Sequence, residues 1–230
     1  HCDKFNYGDE LVVSYQARVR QSGNGREIVN NAGIHANNAM DADDPEEIYA
    51  NTANVEVTKD VDRFEGYVGA SDQDPGFFEY TVHVTNAQEG TVANGVTVTD
   101  DTLPEGMRLG RNADGSLMVR SLRENGSDVA MSWVGDRAEG VLSPIQYRIA
   151  DDDHAHDQYE AVTPAWSIEP SGTGWKMSVD HLAHGTDLEL VFRAYPEDGV
   201  SGWEIENRVT AEAANSQPDD DTADVWVNQP

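Results

Sequence analysis

The sequence predicts an all-β chain built of immunoglobulin-like β-sandwich modules in tandem. Three observations predict it: apolar residues recur with period two, turn clusters separate these runs at short intervals, and one stretch of sequence occurs twice. Leu11, Val13 and Tyr15 share one parity and open the series. Val55, Val57 and Val61 follow with Lys59 in the same register. Phe78, Tyr80, Val82 and Val84 alternate with Glu79, Thr81, His83 and Thr85, the pattern of a strand with one buried and one wet face. Val96 and Val98 alternate with Thr97 and Thr99, and Leu188, Leu190 and Phe192 with Asp187, Glu189 and Arg193. Trp203, Ile205 and Val209 form the last such row, with Asn207 in their parity. Glu89-Gly90, Pro104-Glu105-Gly106, Asn125-Gly126 and Pro196-Glu197-Asp198-Gly199 punctuate the runs. No long window keeps a helical period.

Residues 8–38 align with 185–215 without a gap. Gly8 matches Gly185, Leu11 matches Leu188, and Glu27-Ile28-x-Asn30 matches Glu204-Ile205-x-Asn207. After a change of length in an acidic loop, Asp41–Glu47, the run Thr52-Ala53-x-Val55-x-Val57 matches Thr222-Ala223-x-Val225-x-Val227. The chain thus holds two copies of one module ending and a single module beginning. Residues 1–57 are expected to be the C-terminal strands of a preceding module, and residues 58–230 a complete one. Tandem units of this kind suit an extended array.

The 230 residues carry 43 acidic against 15 basic side chains, a formal charge of −28. Such a surface repels phosphates and anionic lipid, which excludes nucleic acid and membrane surfaces as partners. A single cysteine, Cys2, excludes an internal disulfide and a cysteine-based zinc site. No run is long enough to span a membrane and no signal peptide is visible; because the chain starts mid-pattern, it is expected to be a fragment or a mature segment.

Lys59 falls on the apolar parity of its strand, where a charge is costly unless paired or neutralised. Asn207 falls on the apolar parity of the last row. Val96-x-Val98-x-Asp100 puts a carboxylate on the inward parity of a middle strand. A lysine, an aspartate and an asparagine are therefore expected to project into one core. The runs Glu79-Tyr80-Thr81-Val82-His83-Val84-Thr85-Asn86 and Val96-Thr97-Val98-Thr99-Asp100-Asp101-Thr102-Leu103-Pro104-Glu105-Gly106, with Val57-Thr58-Lys59 before them and Ile205-Glu206-Asn207-Arg208-Val209 at the end, resemble the repeat domains of Gram-positive surface adhesins and fimbrial subunits. More narrowly they are similar to the isopeptide-forming domains of collagen-adhesin type.

That resemblance implies a spontaneous amide between Lys59 and Asn207 with loss of ammonia, assisted by a buried acid. Two candidates stand before the Leu-Pro turn: strand parity selects Asp100, and spacing to Leu103-Pro104 selects Asp101. Asn30 is the repeat equivalent of Asn207, and no lysine within the chain is placed to join it. The implied role is structural, a stalk or spacer of a bacterial cell-surface adhesin or pilus, extracellular and anchored to the cell wall, with neighbouring modules of the same protein as partners. Two other classes compete: a ligand-binding adhesin domain for a host surface protein or glycan, and an accessory domain of a secreted carbohydrate-active enzyme. No enzyme motif beyond the autocatalytic amide stands out and no cofactor is expected. The metal candidates are His154, His156 and Asp157 in one acidic run and Asp219 and Asp221 near the C-terminus, where carboxylates suit calcium. Trp133, Trp166, Trp175 and Trp203 are expected to pack in the core or at its edge.

Overall fold

A computed structural model of the chain describes residues 4, 6–20, 24–68, 76–113, 115–148, 159–197, 199–200 and 202–228. These residues form strands, turns and extended loops, and no helix. No helix among them is therefore long and apolar enough to cross a membrane. The first strands are β1 (Glu27–Ile34), β2 (Ala42–Tyr49), β3 (Val55–Val61), β4 (Glu65–Tyr67), β5 (Phe78–Asn86) and β6 (Val92–Asp100). The middle contributes β7 (Met107–Leu109), β8 (Val119–Glu124), β9 (Ser127–Asp128), β10 (Ser132–Val134), β11 (Arg137–Val141), β12 (Ile145–Arg148) and β13 (Tyr159–Val162). Five long or central strands close the chain: β14 (Ala165–Ser171), β15 (Gly174–Ala183), β16 (Asp187–Pro196), β17 (Trp203–Glu212) and β18 (Asp219–Asn228).

Two sheets face each other. One runs β10-β11-β14-β15-β6-β17-β18-β4 and the other β3-β5-β16-β8-β9, with β7 also pairing β16. Most pairings are antiparallel; β18 and β4 run parallel. The alternation seen in the sequence becomes the inner faces. Phe78, Tyr80, Val82 and Val84 of β5 pack with Leu188, Leu190 and Phe192 of β16, against Val96 and Val98 of β6 and Val209 and Ala211 of β17. Their outward neighbours are partly or fully exposed, as a half-buried strand requires. The Asn125-Gly126 turn joins β8 to β9 with both residues at positive φ, 50° and 77°, the geometry a two-residue hairpin needs.

Three features depart from expectation. The segment 8–20, read as a strand, forms no strand, and its Leu11, Val13 and Tyr15 are exposed. Its counterpart β16 lies between β5 and β8 and is hydrogen-bonded on both sides. Without such neighbours an extended segment gains no ladder. The acidic stretch read as a loop, Asp41–Glu47, instead supplies most of β2, which pairs β1 with Asn30 opposite Glu46 and Glu27 opposite Tyr49. In the second copy Asn207 lies opposite Ala223 and Glu204 opposite Trp226, so the ungapped repeat continues through β2 and β18. The expected match of Thr52–Val57 to Thr222–Val227 is not realised, because Val55 and Val57 lie in β3 paired with β5. Finally, β3 begins at Val55, and Val55 and Val57 are buried in the complete sandwich. This strand crosses the boundary expected after residue 57, because Val55, Val57 and Lys59 form one continuous inward row.

The β1–β2 hairpin is almost wholly exposed. It is tied to the sandwich at its base. The Tyr49 hydroxyl donates to Gly90 O, and the Asn51 side chain exchanges two hydrogen bonds with the Val92 backbone. Asn215 Nδ2 bridges Asn51 O and Val92 O at 2.8 and 2.9 Å.

Candidate functional site

β3, β6 and β17 bring Lys59, Asp100 and Asn207 together inside the sandwich. All three residues are buried, with relative exposures of 3%, 2% and 0%. Lys59 Nζ donates to Asp100 Oδ2 at 2.6 Å, and Asn207 Nδ2 donates to the same oxygen at 3.2 Å. The side chains of Lys59 and Asp100 have no solvent contact. Tyr80 and Phe192, stacked at 5.4 Å between centroids, wall the amine at 5.0 and 5.7 Å. Trp175 meets Phe192 edge-on and is the backbone partner of Asp100 in the β15–β6 ladder.

Local backbone geometry decides which of the two aspartates faces the core. β6 ends at Asp100, so Asp100 keeps the inward parity of Val96 and Val98 while Asp101 turns out. Asp101 is exposed and its Oδ1 accepts from Thr102 Oγ1. Of the two carboxylates open to the sequence, only Asp100 enters the core. The β14–β15 turn braces this point: Thr173 N–H donates to Asp101 O at 3.0 Å, and Leu103 N–H donates to Thr173 Oγ1 at 2.9 Å. At Gly174 a Cβ would lie 1.7 Å from Asp100 O, so only glycine permits this approach.

Burial dominates the proton balance. Desolvation holds the Lys59 amine below its ordinary pKa, opposed by the nearby Asp100 carboxylate. Desolvation likewise raises the Asp100 carboxyl, opposed by Lys59 and Asn207. Both shifts favour the neutral pair, a free amine beside a carboxylic acid. The hydrogen bonds that Asp100 Oδ2 accepts favour the carboxylate, whereas Asp100 Oδ1 and Asn207 Oδ1 are both buried acceptors without a donor. Turning the Asn207 amide by half a turn puts its oxygen where Nδ2 stands. A protonated Asp100 then donates to that oxygen, and one orphaned acceptor is satisfied. The arrangement brings an amine, a carboxyl and a primary amide together inside the core, with the carboxyl hydrogen-bonded to both of the others.

The remaining candidates lie elsewhere. Asn30 is exposed on β1, and its Nδ2 donates to the Tyr15 hydroxyl at 2.7 Å. Tyr15 is the repeat counterpart of Phe192, so this pair mirrors part of the buried site without a lysine or an acid. Asp219 and Asp221 accept backbone N–H groups of β3. Among the described residues no group of three or more His, Cys, Asp or Glu is placed to hold a metal ion. His154, His156 and Asp157, like Cys2, lie outside the described residues. Trp166 and Trp175 are core residues, whereas Trp133 and Trp203 are 38% and 49% exposed. Sequence reasoning missed the aromatic walls and the β3 contacts of Asp219 and Asp221. The latter had a signal: both acids share the inward parity of Ala223, Val225 and Val227.

No known family profile matches the chain, and no curated protein matches it in sequence. Among solved structures, the chain is similar to the full-length major pilin SpaD from Corynebacterium diphtheriae at 10% identity and a TM-score of 0.41, covering 74% of this chain and 33% of that one. It is similar to the RrgA Jo.In complex at 13% identity and 0.40, covering 68% and 70%. It also matches the sporulation control protein Spo0M from Bacillus subtilis at 12% identity and 0.34, covering 77% and 50%. The matched part is thus about a third of the pilin's length and half of Spo0M's. Likeness of this degree carries no functional argument.

Proposed function

We propose that the chain is a structural stalk or spacer segment of a bacterial cell-surface adhesin or pilus, in which a Lys59–Asn207 isopeptide bond locks the sandwich. The observation that carries this reading is the buried convergence of Lys59, Asp100 and Asn207. A lysine, a carboxyl and an amide are costly to bury together, and a fold that served only to pack would place apolar side chains there. The internal repeat supports a modular array, with residues 1–57 belonging mainly to a preceding unit and the complete unit following.

The chemistry is an amide exchange. The lone pair of Lys59 Nζ attacks Asn207 Cγ while the Asp100 proton stabilises the developing oxyanion. A proton passes from Nζ through Asp100 to Nδ2, the Cγ–Nδ2 bond breaks, and ammonia leaves. Asp100 ends as it began, and one C–N bond replaces another. Fixed proximity inside the core replaces external catalysis.

A load-carrying role has a direct mechanical test. When the chain is pulled from its ends in single-molecule force spectroscopy, the segment between Lys59 and Asn207 should contribute no extension. Asn207→Ala should release it, adding roughly 500 Å of contour length from roughly 150 residues. Equal extension of wild type and variant would remove the proposed role.

A further inference from the structure

We propose that Asp221, seconded by Asp219 and Ser216, positions Lys59 for the bond with Asn207. This deepens the isopeptide reading and rests on it. Among the described residues, β3 is the end strand of its sheet and pairs with β5 alone. Its N–H groups at Val55, Val57 and Lys59 face away from β5 and have no neighbouring strand. Each is taken by a side-chain oxygen from the opposite sheet's edge: Ser216 Oγ at 2.9 Å, Asp219 Oδ2 at 2.9 Å and Asp221 Oδ2 at 2.8 Å. Three successive outward donors are thus held by a comb of side chains in place of a backbone ladder.

The comb explains why the inward row of β18 opens with two acids before Ala223, Val225 and Val227. A carboxylate facing a core is costly unless hydrogen-bonded, and here each finds an orphaned donor. It also fixes the one coordinate the reaction requires. Asp221 lies opposite Val209, and the next inward residue of β18, Ala223, lies opposite Asn207. One ladder therefore carries both the acceptor of Lys59's own N–H and the amide that Lys59 must reach. A slip of β3 by one residue would turn Lys59 outward, and a slip of two would put Val57 or Val61 before Asn207. Asp221 touches no reacting atom, so it is a positioning residue. Its charge also faces Lys59 and favours the ammonium form, so an uncharged acceptor at the same place should serve as well.

The test follows ammonia loss by intact mass in the full chain, sampled over time during cell-free synthesis. Asp221→Ala should slow the loss roughly tenfold to a hundredfold, the penalty of a misplaced reactant. Asp221→Asn, whose Oδ1 accepts the same N–H, should restore a rate close to wild type. In the Asn207→Ala background, where no bond forms, Asp221→Ala should expose the Lys59 amide to hydrogen exchange and Asp221→Asn should keep it protected. If wild type loses ammonia and Asp221→Ala does so equally fast, the positioning role is wrong and the isopeptide reading stands. If Asn and Ala variants are equally slow, the hydrogen bond is not what Asp221 supplies, and the proposal is overturned. If wild type itself keeps its ammonia, the underlying reading fails, and this one with it. Should Asp221→Ala not fold, Asp219→Ala decides: slower ammonia loss supports the comb, and an unchanged rate overturns it.

Discussion

Lys59→Ala is expected to recover the full calculated mass of the chain and to lower its stability by about 4–5 kcal/mol, the loop-closure value for a cross-link of this span. For a unit of this size that is a fall of roughly 10–20 °C in melting temperature. The variant also removes a buried amine from beside Asp100, so its effect has two sources. Asn207→Ala separates them, because it abolishes the bond and leaves the Lys59–Asp100 pair intact. Similar losses in both variants assign the effect to the cross-link. A small loss in Asn207→Ala with a large one in Lys59→Ala would assign it to the buried pair, and differential scanning calorimetry on the two proteins makes the comparison.

Asp100→Ala should block the bond while Lys59 and Asn207 remain in place, and the protein should again have its full calculated mass. Its stability should fall at least as far as that of Lys59→Ala. The cross-link is lost and the amine is buried without its partner, which by itself costs about 3–5 kcal/mol when the amine stays charged. Asp101→Ala is the matched control. Asp101 is exposed in the turn after β6, so the bond should form and stability should stay within about 0.5 kcal/mol of wild type. Bond formation in Asp100→Ala, or its loss in Asp101→Ala, would reverse the assignment of the acid.

Much of the fold is legible in the sequence because a strand writes its faces into every second residue. Alternation alone gives the inward rows of β3, β5, β6, β16 and β17, and Lys59, Asp100 and Asn207 stand out on them as polar residues among apolar ones. Parity leaves one ambiguity, since Asp101 has the better spacing to Leu103-Pro104. The structure separates the two through the end of β6 and the close approach of Gly174, a contact between distant segments. Segment 8–20 misleads for the opposite reason. Its alternation is genuine, but a strand also needs neighbours, and period two records a preference for one face without naming what covers it. Residues 42–49 mislead through composition. Asp43, Asp44, Pro45, Glu46 and Glu47 have the composition of a loop, yet they pair with β1 in the register that β18 adopts with β17. Asp219 and Asp221 resemble metal ligands because carboxylate runs suit cations. Their partners are the N–H groups of β3, from a strand more than half the chain away.

One mass decides whether the bond exists. The intact wild-type chain, denatured and weighed at isotopic resolution, should be lighter than its calculated mass by a single ammonia. Fragmentation should then place a branched peptide joining Lys59 to Asn207, with Asn30 unmodified. A wild-type chain at its full calculated mass, with Lys59 and Asn207 on separate linear peptides, would contradict it.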